Sequence, residues 1–210
     1  MGDLAESLEL AGWSLFWAEL EATRDTAAAA RLAARRARIA AELRARWTVA
    51  ELGEDRAVAT MRRLFKAAGT DPARYRPSSE ALLRRLLEGE ALPSIHPLVD
   101  LNNQLSIELR VPCCVVRDGS ISFPVTLRAG RAGETLDSMR GPLDLAGKPL
   151  LEDALGPFGT PISDSHRVKV LPETTRAWLV AYLPADVVPV AAASARLDEI
   201  LAEAPVALRI

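Results

Sequence analysis

The chain has 210 residues, 49% of them hydrophobic and 26% charged, with a formal net charge of −2. That suits one large globular domain, or one domain with an appended helical piece, and excludes a polycation. No apolar run reaches the roughly 18 residues of a membrane span, and the acidic opening "MGDLAESLEL" lacks a basic-then-apolar leader, so a cytoplasmic protein with no membrane partner is expected.

In chain order, residues 8–22 read as a strand around Trp13–Trp17 or as an amphipathic helix, with strand preferred. Residues 26–46, "TAAAARLAARRARIAAELRAR", hold strong helix formers and no breaker. Thr48 with Glu51 forms a capping-box pattern for a second helix that ends near Gly69. The turn-rich "GTDPARYRP" follows. Ser78 or Ser79 then caps "EALLRRLLEG", with Gly89 as the stop.

The next helix, "HPLVDLNNQLSIELRVPCC" from His96 to Cys114, raises a question. At roughly 100° per residue, Asp100, Gln104 and Glu108 share one narrow arc, expected to face water. Asn102 falls inside the leucine face, and Asn103 and Ser106 lie beside it. A buried amide without partners costs roughly 1–3 kcal/mol. Either the fold satisfies these groups internally or they line a wet pocket.

After Pro112 the pattern changes. "CCVVRDGSISFPVTLR" places two apolar runs around Asp118-Gly119, a hairpin signal. Gly and Pro punctuate 129–161 as in short strands joined by turns, and "GRAG" at 130–133 is too short to cradle a phosphate and reads as a turn. "HRVKVL" and "RAWLVAYL" are further strands, and a closing helix starts after Pro189. Helices first and sheet second make an α+β architecture.

The chemistry-bearing residues are sparse. Cys113 and Cys114 are adjacent, which suits neither a disulfide nor zinc, and His96 and His166 cannot alone build a metal centre; no cofactor or metal is expected. Nucleotide-loop, HExxH and GxSxG motifs are absent. Arg31, Arg35 and Arg38 share a face of the first long helix, and Arg36, Arg44 and Arg46 extend it; Arg62, Arg63, Arg74, Arg76, Arg84 and Arg85 follow. This basic stripe is either a phosphate-binding surface or an ordinary solvated face. "SDSHR" at 163–167 invites a triad, but neighbours on a strand point to opposite faces, so a polar loop at a pocket mouth is expected instead.

The ordered motifs "RYRPSSEALLRRLLEGEALPSIHPLVDLNNQLSIELRVP", "GETLDSMRG" and "SDSHRVKVLPETT" resemble stand-alone relatives of the tRNA-editing (B-three/B-four) domain of the phenylalanyl-tRNA synthetase beta chain, over about residues 74–183. The resemblance implies an α+β editing-domain core at 74–190, preceded by a strand and basic helices at 1–73 and followed by a C-terminal helix at 191–210. It implies descent from a site that hydrolyses misacylated tRNA. Where that domain has a Thr-Asn pair and a later histidine, this chain has Asn102, Asn103 and Cys114, and no counterpart of its later pocket glutamate is evident. By this resemblance Asn102 and Asn103 carry the chemistry and Ser106, Pro112, Cys113 and Cys114 bind substrate, joined by Ser163, Asp164, Ser165 and Arg167 of the polar loop, while the basic stripe is expected to bind RNA through Arg31, Arg35, Arg38, Arg74, Arg76, Arg84 and Arg85. Cys114 is expected in the pocket but not as a covalent catalyst, since a thiol near its ordinary pKa of about 8.5 is mostly protonated at neutral pH. The partner implied is tRNA or an aminoacyl-tRNA 3′ end, with hydrolysis of a mischarged ester in trans. The alternative is a non-catalytic module that binds an amino acid or similar small molecule in the retained pocket.

Overall fold

The computed structural model describes residues 6–210, so the first five residues of the acidic opening lie outside the described residues. In chain order the elements are β1 (Glu6–Leu8), β2 (Trp13–Ala22), α1 (Thr26–Arg46), α2 (Arg56–Ala68), α3 (Ser78–Leu87), α4 (Pro97–Leu109), β3 (Cys113–Arg117), β4 (Val125–Ala129), β5 (Thr135–Ser138), β6 (Gly141–Asp144), β7 (Pro149–Asp153), β8 (Gly156–Gly159), β9 (Arg176–Pro184), α5 (Val190–Glu203) and β10 (Ala207–Arg209), with 3-10 turns at Glu51–Glu54 and His166–Val168. The fold is α+β, built on two four-stranded sheets of order β10-β2-β9-β3 and β1-β4-β7-β8, plus the β5-β6 hairpin.

Strand is the outcome for the opening segment. β2 pairs antiparallel with β9 from Trp13↔Pro184 to Glu21↔Arg176, and with β10 on its other edge. Most of its residues are buried, on both faces, which explains why its alternation is imperfect. The 26–46 helix forms as read. Asp25 caps it, its Oδ1 accepting from the N–H groups of Ala27 (2.8 Å) and Ala28 (3.1 Å). The helix after Pro189 also forms as read.

Several local signals resolve differently. Thr48 does bond Glu51, but the pair closes only a turn and the 3-10 segment; Asp55 caps α2 through the N–H groups of Ala57 and Val58. Gly69, at φ 100°, ends α2 in a left-handed conformation that glycine adopts without strain. Pro77, not a serine, occupies the N-cap of α3, and Ser79 is buried. Gly119 makes a turn, yet β3 and β4 are not a hairpin. β3 pairs with β9 and β4 with β1 and β7, so long-range partners outcompete the local one. "HRVKVL" is no strand. Ser165 Oγ accepts from the Arg167 N–H and starts a 3-10 turn.

The largest correction concerns α4. Its Asp100–Gln104–Glu108 face does not meet water. Asp100 and Gln104 are buried, and the Glu108 side chain is 2% exposed. α4 is packed among α1, α3, α5 and β3, so no side of it is left to solvent as a whole. Arg35 of α1 grips both Glu108 carboxylate oxygens (2.7 and 2.8 Å), Arg196 of α5 adds a bond at 2.9 Å, and Gln104 donates at 2.7 Å. Burial by itself raises the Glu108 carboxyl pKa, but these donors outweigh it and hold the group below the usual carboxylate range. Arg35 is therefore a buried structural cation, paired also with Glu203, and is not available to RNA phosphates.

Candidate functional site

The opposite side of α4 opens on a cleft of about 500 Å³. Its floor and walls come from α4, β3, the link joining α3 to α4, the β5-β6 turn and the segment 160–164. Arg110, at φ 59°, turns the chain out of α4 in a left-handed conformation, and β3 starts three residues later. This return lays Cys113 beside Asn102: Asn102 Nδ2 donates to the Cys113 carbonyl at 3.4 Å and to Asn103 Oδ1 at 3.5 Å. Both are long contacts. Asn102 Oδ1 is buried and has no hydrogen-bond partner among the described residues.

The 160–164 segment is shaped by Thr160. Its hydroxyl donates to the Ser163 carbonyl (2.7 Å) and accepts from the N–H groups of Ile162 (3.1 Å) and Ser163 (2.9 Å). The Asp164 carbonyl accepts from the Met139 N–H at 2.9 Å, and a bridge joins Ser138 to Ser165, so the turn carrying Met139 and Arg140 is clamped to this segment. Asp164 lines the cleft, and its Oδ1 is likewise buried and without a partner among the described residues. Burial pushes its carboxyl up to about 7, against the smaller lowering by the Thr160 backbone N–H and Arg140. Arg85, Arg140 and Lys169 bring positive charge to the cleft, and the apolar Ile95 and Met139 stand exposed among its lining.

The cleft gathers five of the ten expected catalytic and substrate-binding residues: Asn102, Asn103, Cys113, Ser163 and Asp164. The others lie elsewhere. Ser106 is satisfied internally by the Val111 carbonyl at 2.7 Å. Pro112 is buried, and its carbonyl accepts from the Tyr182 N–H. Cys114 points away from the cleft, as strand alternation requires once Cys113 and Val115 face it; its Sγ lies 3.9 Å from Tyr182 Oη. Burial pushes its thiol well above the ordinary range, which leaves no thiolate at neutral pH. Ser165 caps the 3-10 turn. Arg167 is bound bidentate to Asp153 at 3.0 Å and also donates to the Ser120 and Gly156 carbonyls.

The basic stripe is largely paired within the chain. Arg31 contacts Asp25, Arg38 contacts Glu203, Arg76 contacts Glu80, Arg84 contacts Glu88, and Arg85 contacts Glu90. Arg74 is exposed and lies over the Tyr75 ring. Of the expected RNA-binding arginines only Arg85 lines the cleft. Arg140, Lys169 and Thr160 were missed. Arg140 lies inside "GETLDSMRG" and Lys169 inside "SDSHRVKVLPETT", whereas Thr160 carries no local signal of its own.

The sequence model of the family described as "B3/4 domain" matches residues 60–198. None of the curated proteins matches the chain. Among solved structures, an N-terminal fragment of the phenylalanyl-tRNA synthetase beta-subunit from Pyrococcus horikoshii is similar at 13% identity and a TM-score of 0.45, covering 95% of this chain and 48% of that one. The chain thus spans about half the length of that fragment. No helix among the described residues is long and apolar enough to cross a membrane.

Proposed function

The chain belongs to the B3/4 domain family, and from that premise we propose that it binds the aminoacylated 3′ end of a tRNA in the α4 cleft and hydrolyses a misplaced aminoacyl ester. One observation carries the reading. Two residues of a single cleft, Asn102 and Asp164, each carry a buried side-chain oxygen (Oδ1) without a hydrogen-bond donor among the described residues. Buried polar groups are normally satisfied, so the cleft calls for a ligand that brings donors. An aminoacyl ester brings an α-ammonium, and its hydrolysis brings a water.

In this reading Asn102 Oδ1 accepts from the α-ammonium. Asn103 donates its amide N–H to the carbonyl oxygen of the ester, while its own Oδ1 takes the contact from Asn102. Asp164 accepts the proton of the attacking water. The water oxygen adds to the carbonyl carbon, the bond between that carbon and the ribose oxygen breaks, and Asp164 returns the proton to the departing ribose hydroxyl. An ester is already activated, so positioning and oxyanion stabilisation carry most of the rate, and a nucleophilic side chain is not required. Arg85, Arg140 and Lys169 face the phosphates of the 3′ end. A panel of mischarged tRNAs tests this: release of the amino acid from at least one, above the uncatalysed rate, is expected, and no release from any would exclude hydrolysis.

The second reading, a binding module for a free amino acid, draws on the position of Cys114: it faces away from the cleft, and no histidine lines the cleft. Saturable binding of an amino acid, with no deacylation of any mischarged tRNA, decides for it.

A further inference from the structure

Three arginines are buried: Arg35, Arg36 and Arg128, at 7%, 9% and 2% exposure. Arg35 holds Glu108 by two bonds, and Arg128 holds Glu134 and Glu152 by four, between 2.6 and 2.8 Å. Arg36 differs. Its Nη2 donates to the Asp100 carbonyl at 2.8 Å, its Nε has only a 3.4 Å contact with Gln104 Oε1, and its Nη1 donates to nothing among the described residues. Two carboxylates lie nearby but are occupied: Asp100 by Ser94 Oγ and the Ile95 N–H, Glu90 by Arg85. Burial lowers the Arg36 pKa, and the Asp100 charge offsets this only in part.

This guanidinium lines a cleft of about 330 Å³ that shares only Leu92 with the α4 cleft. Its α1 wall presents Ala29, Ala33, Ala37 and Ala40, a run of small side chains that leaves a groove against Leu92 and Leu86. An apolar groove of this size, lined by a largely buried cation whose Nη1 has no partner among the described residues and is open to solvent, has the dimensions of a small-molecule site. The occupied carboxylates of Asp100 and Glu90 disfavour a multiply charged anion there, and the alanine wall favours a hydrocarbon tail.

We infer that this groove binds an aliphatic monocarboxylate, with the carboxylate on Arg36 Nη1 and the tail along the α1 alanines. The head group forms a charge-assisted hydrogen bond, and the tail buries the groove's apolar surface. The probe is sodium octanoate, titrated calorimetrically into the full chain, with 1-octanol as the uncharged counterpart. Octanoate is expected to bind at one site, more tightly than octanol. Ala37→Leu, at an exposed wall position that keeps a strong helix former, should abolish binding with an unchanged melting temperature. Arg36→Met should weaken octanoate by about tenfold or more while leaving octanol unchanged. The inference is overturned if octanoate does not bind, if octanol binds as tightly, or if Ala37→Leu binds octanoate normally.

Discussion

Helix α4 has two polar faces that the same helix geometry treats alike and the fold treats oppositely. Toward α1 and α5, Gln104 and Glu108 form a closed network in which one carboxylate takes bonds from Arg35, Arg196 and Gln104. Toward the cleft, Asn102 has two long contacts and a buried oxygen with none, and Asp164 across from it has another. Closed polar groups hold helices together; open ones leave acceptors without donors among the described residues. The difference lies in partner count, not in residue type.

The most severe way to break this comparison is to open the closed face. Glu108→Ala leaves Arg35 buried without its main partner, and should destabilise the chain by about 3–5 kcal/mol, the cost of breaking a buried pair. Chemical denaturation measures it. The lowered Glu108 pKa sets the acid side as well: its stabilisation is present above the unfolded carboxylate pKa and is lost as pH falls through the folded value. A Glu108→Ala chain should therefore lose less stability on acidification than the parent.

Asn103→Ala sharpens the comparison from the open face. Deacylation should fall by roughly 10²–10³, the usual loss of a positioned oxyanion donor, with little change in melting temperature. Normal activity with a much lower melting temperature would place Asn103 on the structural side.

Asp164 tests the open face by pH. Its folded pKa is raised to about 7, so its contribution favours folding at acid pH and is lost as pH rises through about 7. Deacylation should rise over the same range, because the carboxylate accepts the proton. Asp164→Asn should be slow and flat with pH near 7, and should lose less melting temperature than the parent between pH 5 and pH 8. Arg140 is the charged group that acts on this titration, while Cys114 and Tyr182, which lie against the same carboxyl, stay protonated near pH 7.

Cys114→Ala belongs to neither face of α4, and should leave deacylation within roughly tenfold; a nucleophile would lose far more. The smallest effect is electrostatic. Arg140→Glu with Lys169→Glu should weaken tRNA binding and flatten its salt dependence more than Arg31→Glu with Arg38→Glu, whose arginines are already paired with Asp25 and Glu203. Filter binding across a salt series separates the two pairs.

The sequence by itself determined the elements whose causes are local. α1 follows from an unbroken run of helix formers after Asp25, α4 from Pro97 at its first position, and α5 from Pro189 just before it. The ordered motifs also carried the family, and they contain Asn102, Asn103, Ser163 and Asp164, which the fold gathers in the α4 cleft. Tertiary structure alone decided which polar arc of α4 is dry, because Arg35 and Arg196 reach Glu108 from 73 and 88 residues away. It decided that Cys113 faces the cleft and Cys114 does not, because the pleat of β3 is set by its pairing with β9. It also decided that Asp118-Gly119 joins two sheets instead of closing a hairpin, since a turn signal specifies a change of direction and not the strand that waits beyond it.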